Sequence, residues 1–395
     1  MTHHDTEYQP FDPHRGFEFV PTTRVVSGAG RLAEIGRLAF ELGADHVLLV
    51  TDAGLVQAGH ADAARGFLEA AGLRVSQFDD VVENPTTTTV ELGTRFAQDL
   101  GDLNLIIALG GGSAMDCAKG INFLLTNGGR MEDYWGYGLA KKPLLPSIGI
   151  PTTAGTGSEG QSFALISQEG THRKMACGDR KARFSAVILD PELLCSLPVN
   201  VIAATGTDAM THALESYVST RRNPVSQMFA REGWRLLSLR FETVLQVQDR
   251  VDAWSDMLLG AHFAGMAIEH SMLGGAHASG NPLTAHFDVA HGSAVGLMLP
   301  HVIRYNQQVV PELYEDLARV SGWTPGESTS PGDWLAKAFH GYLDAAGLPT
   351  RLGMFGIEDH HLEELAENAT TQWTGNFNPR PLEKGDFLDL YRTAL

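Results

Sequence analysis

The stretch "HASGNPLTAHFDVAHG", residues 277 to 292, places His277, His286 and His291 within fifteen positions of a chain that has only 16 histidines among 395 residues. Neutral imidazoles are good donors to divalent transition ions, so the cluster raises metal chemistry. A second pair lies upstream. "GTDAMTHALE" sets Asp208 and His212 four apart in a helical pattern, which puts both side chains on one face, one turn apart. An acid and a histidine so spaced are, taken alone, more often a surface pair than a metal site. Combined with the downstream cluster they read as a site that chelates one ion. A carboxylate oxygen with histidine nitrogens suits Fe²⁺ or Zn²⁺ and is too nitrogen-rich for Mg²⁺ or Ca²⁺.

Three small-residue loops could receive an anionic cofactor. "VVSGAGRLAEIG" holds Gly28, Gly30 and Ala33 in the pattern G-x-G-x-x-A, and a strand ending in Asp52 follows, as in a dinucleotide fingerprint with its ribose-binding acid. In "IALGGGSAMDCAKGI" a very apolar strand runs into Gly110, Gly111 and Gly112, with a helix expected to start at Ser113. Bare backbone N–H groups at a helix start bind anions, and consecutive glycines let a ligand approach closely. This second loop ranks first, because the strand before the other, "TTRVVS", is short and half polar. Ser113 and Asp116 have capping-box spacing, and Asp116 is read as merely closing the helix start. "PTTAGTGSE", residues 151 to 159, adds the hydroxyls of Thr152, Thr153 and Thr156 at a third strand end.

These residues need a scaffold. "HVLLVTD" (46 to 52), "LNLIIALGGG" (103 to 112), "LLPSIGIPTT" (144 to 153) and "SAVILDPELLCSLP" (185 to 198) read as buried strands. Helical stretches ending in glycine separate the earlier ones, which predicts a parallel, doubly wound α/β sheet. Past Pro198 the pattern is helical, as in "VIAATGTDAMTHALESYVS", "NPVSQMFAREGWRLLSLRFETV" and "AWSDMLLGAHFAGMAIEHSMLGG". The expected division is a Rossmann-like α/β domain over 1–197 and an all-helical domain over 198–395.

Composition narrows the class. With 43% hydrophobic and 19% charged residues the chain is globular. Its formal net charge of −18 argues against nucleic acid and anionic membrane surfaces as partners. No apolar run is long enough to cross a membrane, and the polar start "MTHHDTEYQPFDPHRGFEF" lacks the apolar core of a signal peptide. Cys117, Cys177 and Cys195 are widely spaced, which fits a reducing cytoplasm better than a disulfide framework.

Taken together, "GGGSAMD", "PTTAGTGSE", "GTDAMTHALESY" and "HASGNPLTAHFDVAHG…LPHVIRYN" closely resemble the iron-containing (group III) alcohol dehydrogenase family, in order along nearly the whole chain. The resemblance implies a Rossmann-like domain and a helical domain with the active site between them, and a homodimer as the usual minimum. It implies an ion held by Asp208, His212, His277 and His291, with His286 packing or hydrogen-bonding nearby. It assigns the pyrophosphate to Gly111, Gly112 and Ser113 and the adenosine ribose to Asp52, whose charge favours NAD over NADP. Asn84, Thr152, Thr156 and Lys174 match nucleotide-contacting positions. Phe163 matches a substrate-side position and would make the pocket apolar. Many members carry a histidine four residues after the first of this cluster; here that position is Asn281, which cannot exchange a proton near neutral pH.

The expected activity is hydride transfer between NAD(H) and a small alcohol or aldehyde, an ion acting as Lewis acid on the substrate oxygen. The alternative is an NAD- and metal-dependent lyase of the dehydroquinate synthase group, which shares the two-domain architecture. Its phosphorylated acid substrate calls for basic residues in the cleft, and residues 260 to 300 contain no Lys or Arg.

Overall fold

The computed structural model describes residues 16–170, 173–324 and 329–395. The first fifteen residues of the polar N-terminal stretch lie outside these. The strands are β1 (Arg24–Ser27), β2 (His46–Val50), β3 (Arg74–Phe78), β4 (Leu105–Gly110), β5 (Gly136–Tyr137), β6 (Ser147–Pro151), β7 (Phe163–Ser167), β8 (Lys174–Gly178) and β9 (Ala186–Leu189). Six form one sheet in the order β1-β9-β6-β4-β2-β3, every pair parallel. The four strands expected from sequence occupy its middle. Each of β2, β4, β6 and β9 is buried along its whole length, as strands covered on both faces must be. The edges β1 and β3 are more polar and more exposed, which blunts pairing with other chains.

From β2 the chain builds outward to β3, then returns to β4 on the other side. The direction of winding therefore reverses between β2 and β4, and a ligand crevice opens beyond the carboxyl ends of strands at such a point. A second sheet, β5-β8-β7, pairs β8 with β7 antiparallel. Sequence reading missed it, because its strands have only two to five residues.

Among the described residues no strand follows Leu189. The helices Val199–Val218, Pro224–Gln246 and Val251–His270 correspond to the three helical stretches expected there. Trp234, Phe241 and Trp254 are fully buried among them, each contributing roughly 1.5–3 kcal/mol by leaving water. The histidine cluster falls on two further helices, Gly275–Phe287 and His291–Asn306, separated by a break where Asp288 adopts φ 53°. No helix among the described residues is long and apolar enough to cross a membrane.

Candidate metal and dinucleotide site

Three helices converge on one carboxylate oxygen. Asp208 and His212 are buried on Val199–Val218, and His212 Nε2 lies 3.3 Å from Asp208 Oδ1. From Gly275–Phe287, His277 brings its Nε2 to 3.6 Å from the same oxygen. His291, the first residue of its helix, brings its Nε2 to 3.7 Å. Asp208, His277 and His291 form the tightest trio, with donor atoms all within 4.8 Å of one another. His212 stacks beside His277 with ring centroids 4.8 Å apart.

These donors fit a divalent ion. Asp208 Oδ1 and His277 Nε2 are buried with no hydrogen-bond partner among the described residues, a state that costs about 1–3 kcal/mol per group unless something else binds there. Bonds of about 2.1 Å at tetrahedral angles set donors about 3.4 Å apart, close to the spacing around Asp208.

Glu215 completes the arrangement, and sequence reasoning overlooked it. It lies three residues after His212 on the same helix. Its Oε2 is 2.6 Å from His277 Nδ1, and its Oε1 accepts the Ala276 N–H at 2.6 Å. With Nδ1 donating to Glu215, His277 presents the Nε2 lone pair to the ion position. The signal was the continuation of the Asp208–His212 face to a third polar residue.

Burial by itself would raise the Asp208 carboxyl pKa, but the three imidazoles outweigh it and hold it well below the ordinary range. Burial would lower the His277 pKa, yet Glu215 and Asp208 reverse this and raise it to about 9. His212 and His291 are lowered, chiefly by burial, which Asp208 opposes, so both favour the neutral, ligating form.

The candidate cofactor residues gather along the carboxyl edge of the large sheet. Asp52 follows β2, caps the short helix Ala53–Gln57 by accepting from Leu55 N–H at 3.1 Å, and stands beside Gly110. After β4, Gly111 is the N-cap of the helix Gly112–Asn127, with no side chain satisfying its first N–H groups. Ser113 Oγ accepts from Asn84 N–H at 3.2 Å. Thr152 N–H donates to Gly110 at 3.0 Å, and Thr153 lies against Gly111. A Cβ on Gly112 would meet Thr156 at 2.6 Å, so the two loops close together only because 112 is glycine. Lys174, at the start of β8, reaches solvent from a cleft whose walls desolvate it. Burial lowers its pKa, and Asp116, Asp208 and Glu83 oppose that.

The competing loop is already occupied. Asp190 accepts from Gly30 N–H at 3.1 Å and from Leu32 N–H at 2.8 Å. An internal carboxylate thus takes the donors that a phosphate would need.

Asp116 does not cap its helix, contrary to expectation. The helix begins at Gly112, and Asp116 Oδ1 instead accepts from Ser158 Oγ at 2.5 Å. Beside it the buried Lys119, another residue missed from sequence, donates to the carbonyls of Ser158, Gln161 and Phe163 at 2.7–2.9 Å. This network ties the threonine loop and the start of β7 to the glycine-loop helix.

Phe163 lines a cavity of about 1020 Å³ between the small sheet and the helices. Tyr137 and Trp373 add aromatic walls, but the cavity is mixed and not apolar throughout, because Arg180, Arg183, Arg221 and Arg222 also line it. The lack of basic residues over 260–300 therefore does not leave this cavity without positive charge; other segments supply it. Asn281, one turn beyond His277, donates to Gln372 Oε1 at 3.0 Å. His286 is exposed, and its Nε2 lies 3.0 Å from Asn368 Nδ2. Cys117, Cys177 and Cys195 are all free thiols.

A parallel sheet with glycine-rich loops at its switch point, facing helices that carry an Asp–His cluster, is the arrangement of enzymes that pair a metal ion with a dinucleotide. The family model "Iron-containing alcohol dehydrogenase" matches residues 21–191, and "Fe-containing alcohol dehydrogenase family, C-terminal" matches residues 202–395. The chain belongs to the iron-containing alcohol dehydrogenase family. It is 31% identical to the NAD-dependent methanol dehydrogenase of Bacillus methanolicus, over 95% of this chain and 99% of that protein. It is 37% identical to alcohol dehydrogenase 4 of Schizosaccharomyces pombe, over 93% and 86%. A crystal structure of 1,3-propanediol oxidoreductase superposes with a TM-score of 0.92 at 31% identity, over 96% of this chain and all of the other.

Proposed function

We propose that this protein transfers a hydride between NAD(H) and a small alcohol or aldehyde, with Asp208, His212, His277 and His291 holding Fe²⁺, or Zn²⁺ in its place. The observation that carries the reading is the convergence of three imidazole nitrogens within 3.7 Å of one buried carboxylate oxygen. When bound, the ion supplies Lewis-acid polarisation of the substrate oxygen, and the nicotinamide accepts or donates the hydride.

The chain's own groups bind and orient. Gly111, Gly112 and Ser113 offer backbone donors to the pyrophosphate, and Asp52 receives the adenosine ribose. Asn84, Thr152, Thr153, Thr156 and Lys174 complete the nucleotide contacts. Glu215 aligns His277. Phe163 packs against the substrate and excludes water. Asn281 holds a hydrogen bond but carries no exchangeable proton near neutral pH, so the proton of alcohol oxidation leaves through water or the ribose hydroxyls.

We divide these tasks at 197/198, with the nucleotide on the first part and the ion and substrate on the second, Phe163 reaching the substrate from the first. The last strand among the described residues and the helix Val199–Val218 flank that position. The free cysteines accord with a cytoplasmic setting, and family membership with a homodimer. Relatives named for methanol, 1,3-propanediol and lactaldehyde favour short primary alcohols and aldehydes over the lyase alternative.

The test is NADH absorbance with a panel of alcohols and aldehydes, using protein loaded with Fe²⁺ without oxygen. Turnover that disappears with a chelator and returns with metal is expected. Metal-loaded protein that neither reduces NAD with any alcohol nor oxidises NADH with any aldehyde would overturn the proposal.

A further inference from the structure

We infer that Asn378 is a positioning residue of the metal centre: its side-chain amide fixes how the helices carrying His277 and His291 lie against each other, and so how tightly the ion is held. This rests on the metal reading above and adds to it a residue outside the ligand set.

The segment "NFNPRP", residues 376 to 381, is extended by its own composition. Pro379 disfavours a helical Asn378, which adopts φ −62° and ψ 138°. The segment touches all three helices that bring the candidate ligands. The Phe377 carbonyl accepts from Thr220 N–H at 2.8 Å, two residues past the helix of Asp208 and His212. Asn378 Oδ1 accepts from Gly275 N–H at 3.1 Å, at the start of the His277 helix. Arg380 Nη1 donates to the Tyr305 carbonyl at 3.1 Å, near the end of the His291 helix, and its guanidinium lies 3.9 Å from the centre of the Tyr305 ring.

Asn378 is the centre of this clamp. It is buried against Asn306, the last residue of the His291 helix. The two amides bond reciprocally, Asn378 Nδ2 to Asn306 Oδ1 at 2.7 Å and Asn306 Nδ2 to Asn378 Oδ1 at 2.9 Å. The second Asn378 N–H donates to the Arg380 carbonyl at 2.7 Å. All the hydrogen-bonding positions of the Asn378 amide are thus filled. Its orientation is fixed too, because the Gly275 N–H can only donate and the Arg380 carbonyl can only accept.

This junction lies one step from the ion position. Gly274, the N-cap of the His277 helix, has no side chain to satisfy the first N–H groups. Asn378 takes that of Gly275, and Glu215 takes that of Ala276. A Cβ on Gly274 would lie 3.1 Å from both Asn378 Oδ1 and Glu215 Oε1, so the two oxygens crowd the same helix start. The two histidine helices run antiparallel, Gly275 facing Val302 and Gly280 facing Val295. By joining Gly275 to Asn306, Asn378 fixes the register of this pair. A slide by one residue's rise is about 1.5 Å, well beyond the roughly 0.2 Å tolerance of a metal–ligand bond. It would change the 5.4 Å separation of the His277 and His291 rings.

The experiment measures Zn²⁺ dissociation constants of the full-length, metal-free chain by competition with a chromophoric chelator. Asn378→Ala should weaken Zn²⁺ binding about tenfold. Asn306→Ala leaves Gly275 its acceptor and should weaken it less. The double variant should be no worse than Asn378→Ala alone, because the two amides act as one unit. Val90→Ala opens a cavity under the helix Thr87–Leu100, outside the three ligand helices. It should lower the melting temperature and leave Zn²⁺ affinity unchanged. The visible bands of the Co²⁺-loaded protein report the arrangement of donors around the ion. They should shift in Asn378→Ala and stay in place in Val90→Ala. Unchanged affinity and bands in Asn378→Ala, or an equal loss of affinity in Val90→Ala, overturns the inference and leaves the metal site standing. Should Asn378→Ala fail to fold, Asn306→Ala carries the same comparison with Val90→Ala. No Zn²⁺ binding by the unmodified chain overturns the metal reading as well.

Discussion

Gly292 and Ala204 are in backbone contact: a Cβ on Gly292 would fall 1.8 Å from the Ala204 carbonyl oxygen. Thr207 Oγ donates to the Gly292 carbonyl at 3.2 Å and strengthens the same junction. Ala204 is one turn before Asp208 and Gly292 follows His291, so this contact sets the distance between two candidate ligands. Gly292→Ala must push the two helices apart. We expect a destabilisation of about 1–3 kcal/mol and weakened metal binding, read by thermal melting and metal content. A variant with unchanged melting and full metal would contradict the geometry.

Removing a ligand should differ from removing a neighbour. His277→Ala takes one of four donors and should abolish tight metal binding and turnover. His286→Ala breaks only the contact with Asn368 and should keep the ion. Elemental analysis of both variants decides; loss of metal from the His286 variant alone would reverse the ligand assignment.

Metal uptake should be proton-linked through His277. With its pKa raised to about 9, the metal-free protein carries that proton at neutral pH, and an ion must displace it. Affinity should therefore rise with pH up to about 9, with about one proton released per ion at pH 7. The sign for stability is opposite. A raised folded-state pKa stabilises the metal-free fold fully below the ordinary imidazole value of about 6.5, and that contribution is lost as pH rises through about 9. Glu215→Gln should flatten both trends and weaken metal binding by about 10–100-fold. Calorimetry in buffers of different protonation heat measures the proton count; no release at pH 7 would refute the linkage.

Asp52 should repel the 2′-phosphate of NADP. Asp52→Asn keeps an oxygen able to cap Leu55 N–H while removing the charge. Its relative kcat/KM for NADP over NAD should rise about tenfold or more, whereas Asp52→Gly should also cost the cap. Equal efficiency with both cofactors in the unmodified protein would dispose of this role.

Asn281→His would place an imidazole one turn beyond His277 and break the hydrogen bond to Gln372. It should alter the pH profile of alcohol oxidation more than it alters metal content. Superimposable profiles, measured where chemistry limits the rate, would put position 281 outside the proton path.

The sequence by itself determined whatever depends on near neighbours along the chain. β2, β4, β6 and β9 were legible as continuous apolar runs because both faces of a central parallel strand are covered. Asp208 and His212 were legible as a pair because the helical repeat puts them on one face. Glu215 lay on that face too, but its purpose depends on His277, which arrives from another helix. Tertiary structure decided the rest. The break at Asp288 puts His277 and His291 on separate helices, and packing then returns both to Asp208 and leaves His286 at the surface. Packing also turned Asp116 from a helix cap into the anchor of the threonine loop, and gave the Gly30 and Leu32 donors of the first glycine loop to Asp190. It gathered arginines from 180–183 and 221–222 around one cavity, where a reading confined to 260–300 found no positive charge. Periodicity records only the neighbours a residue has on its own element, whereas a site built from distant segments exists only once those segments have packed.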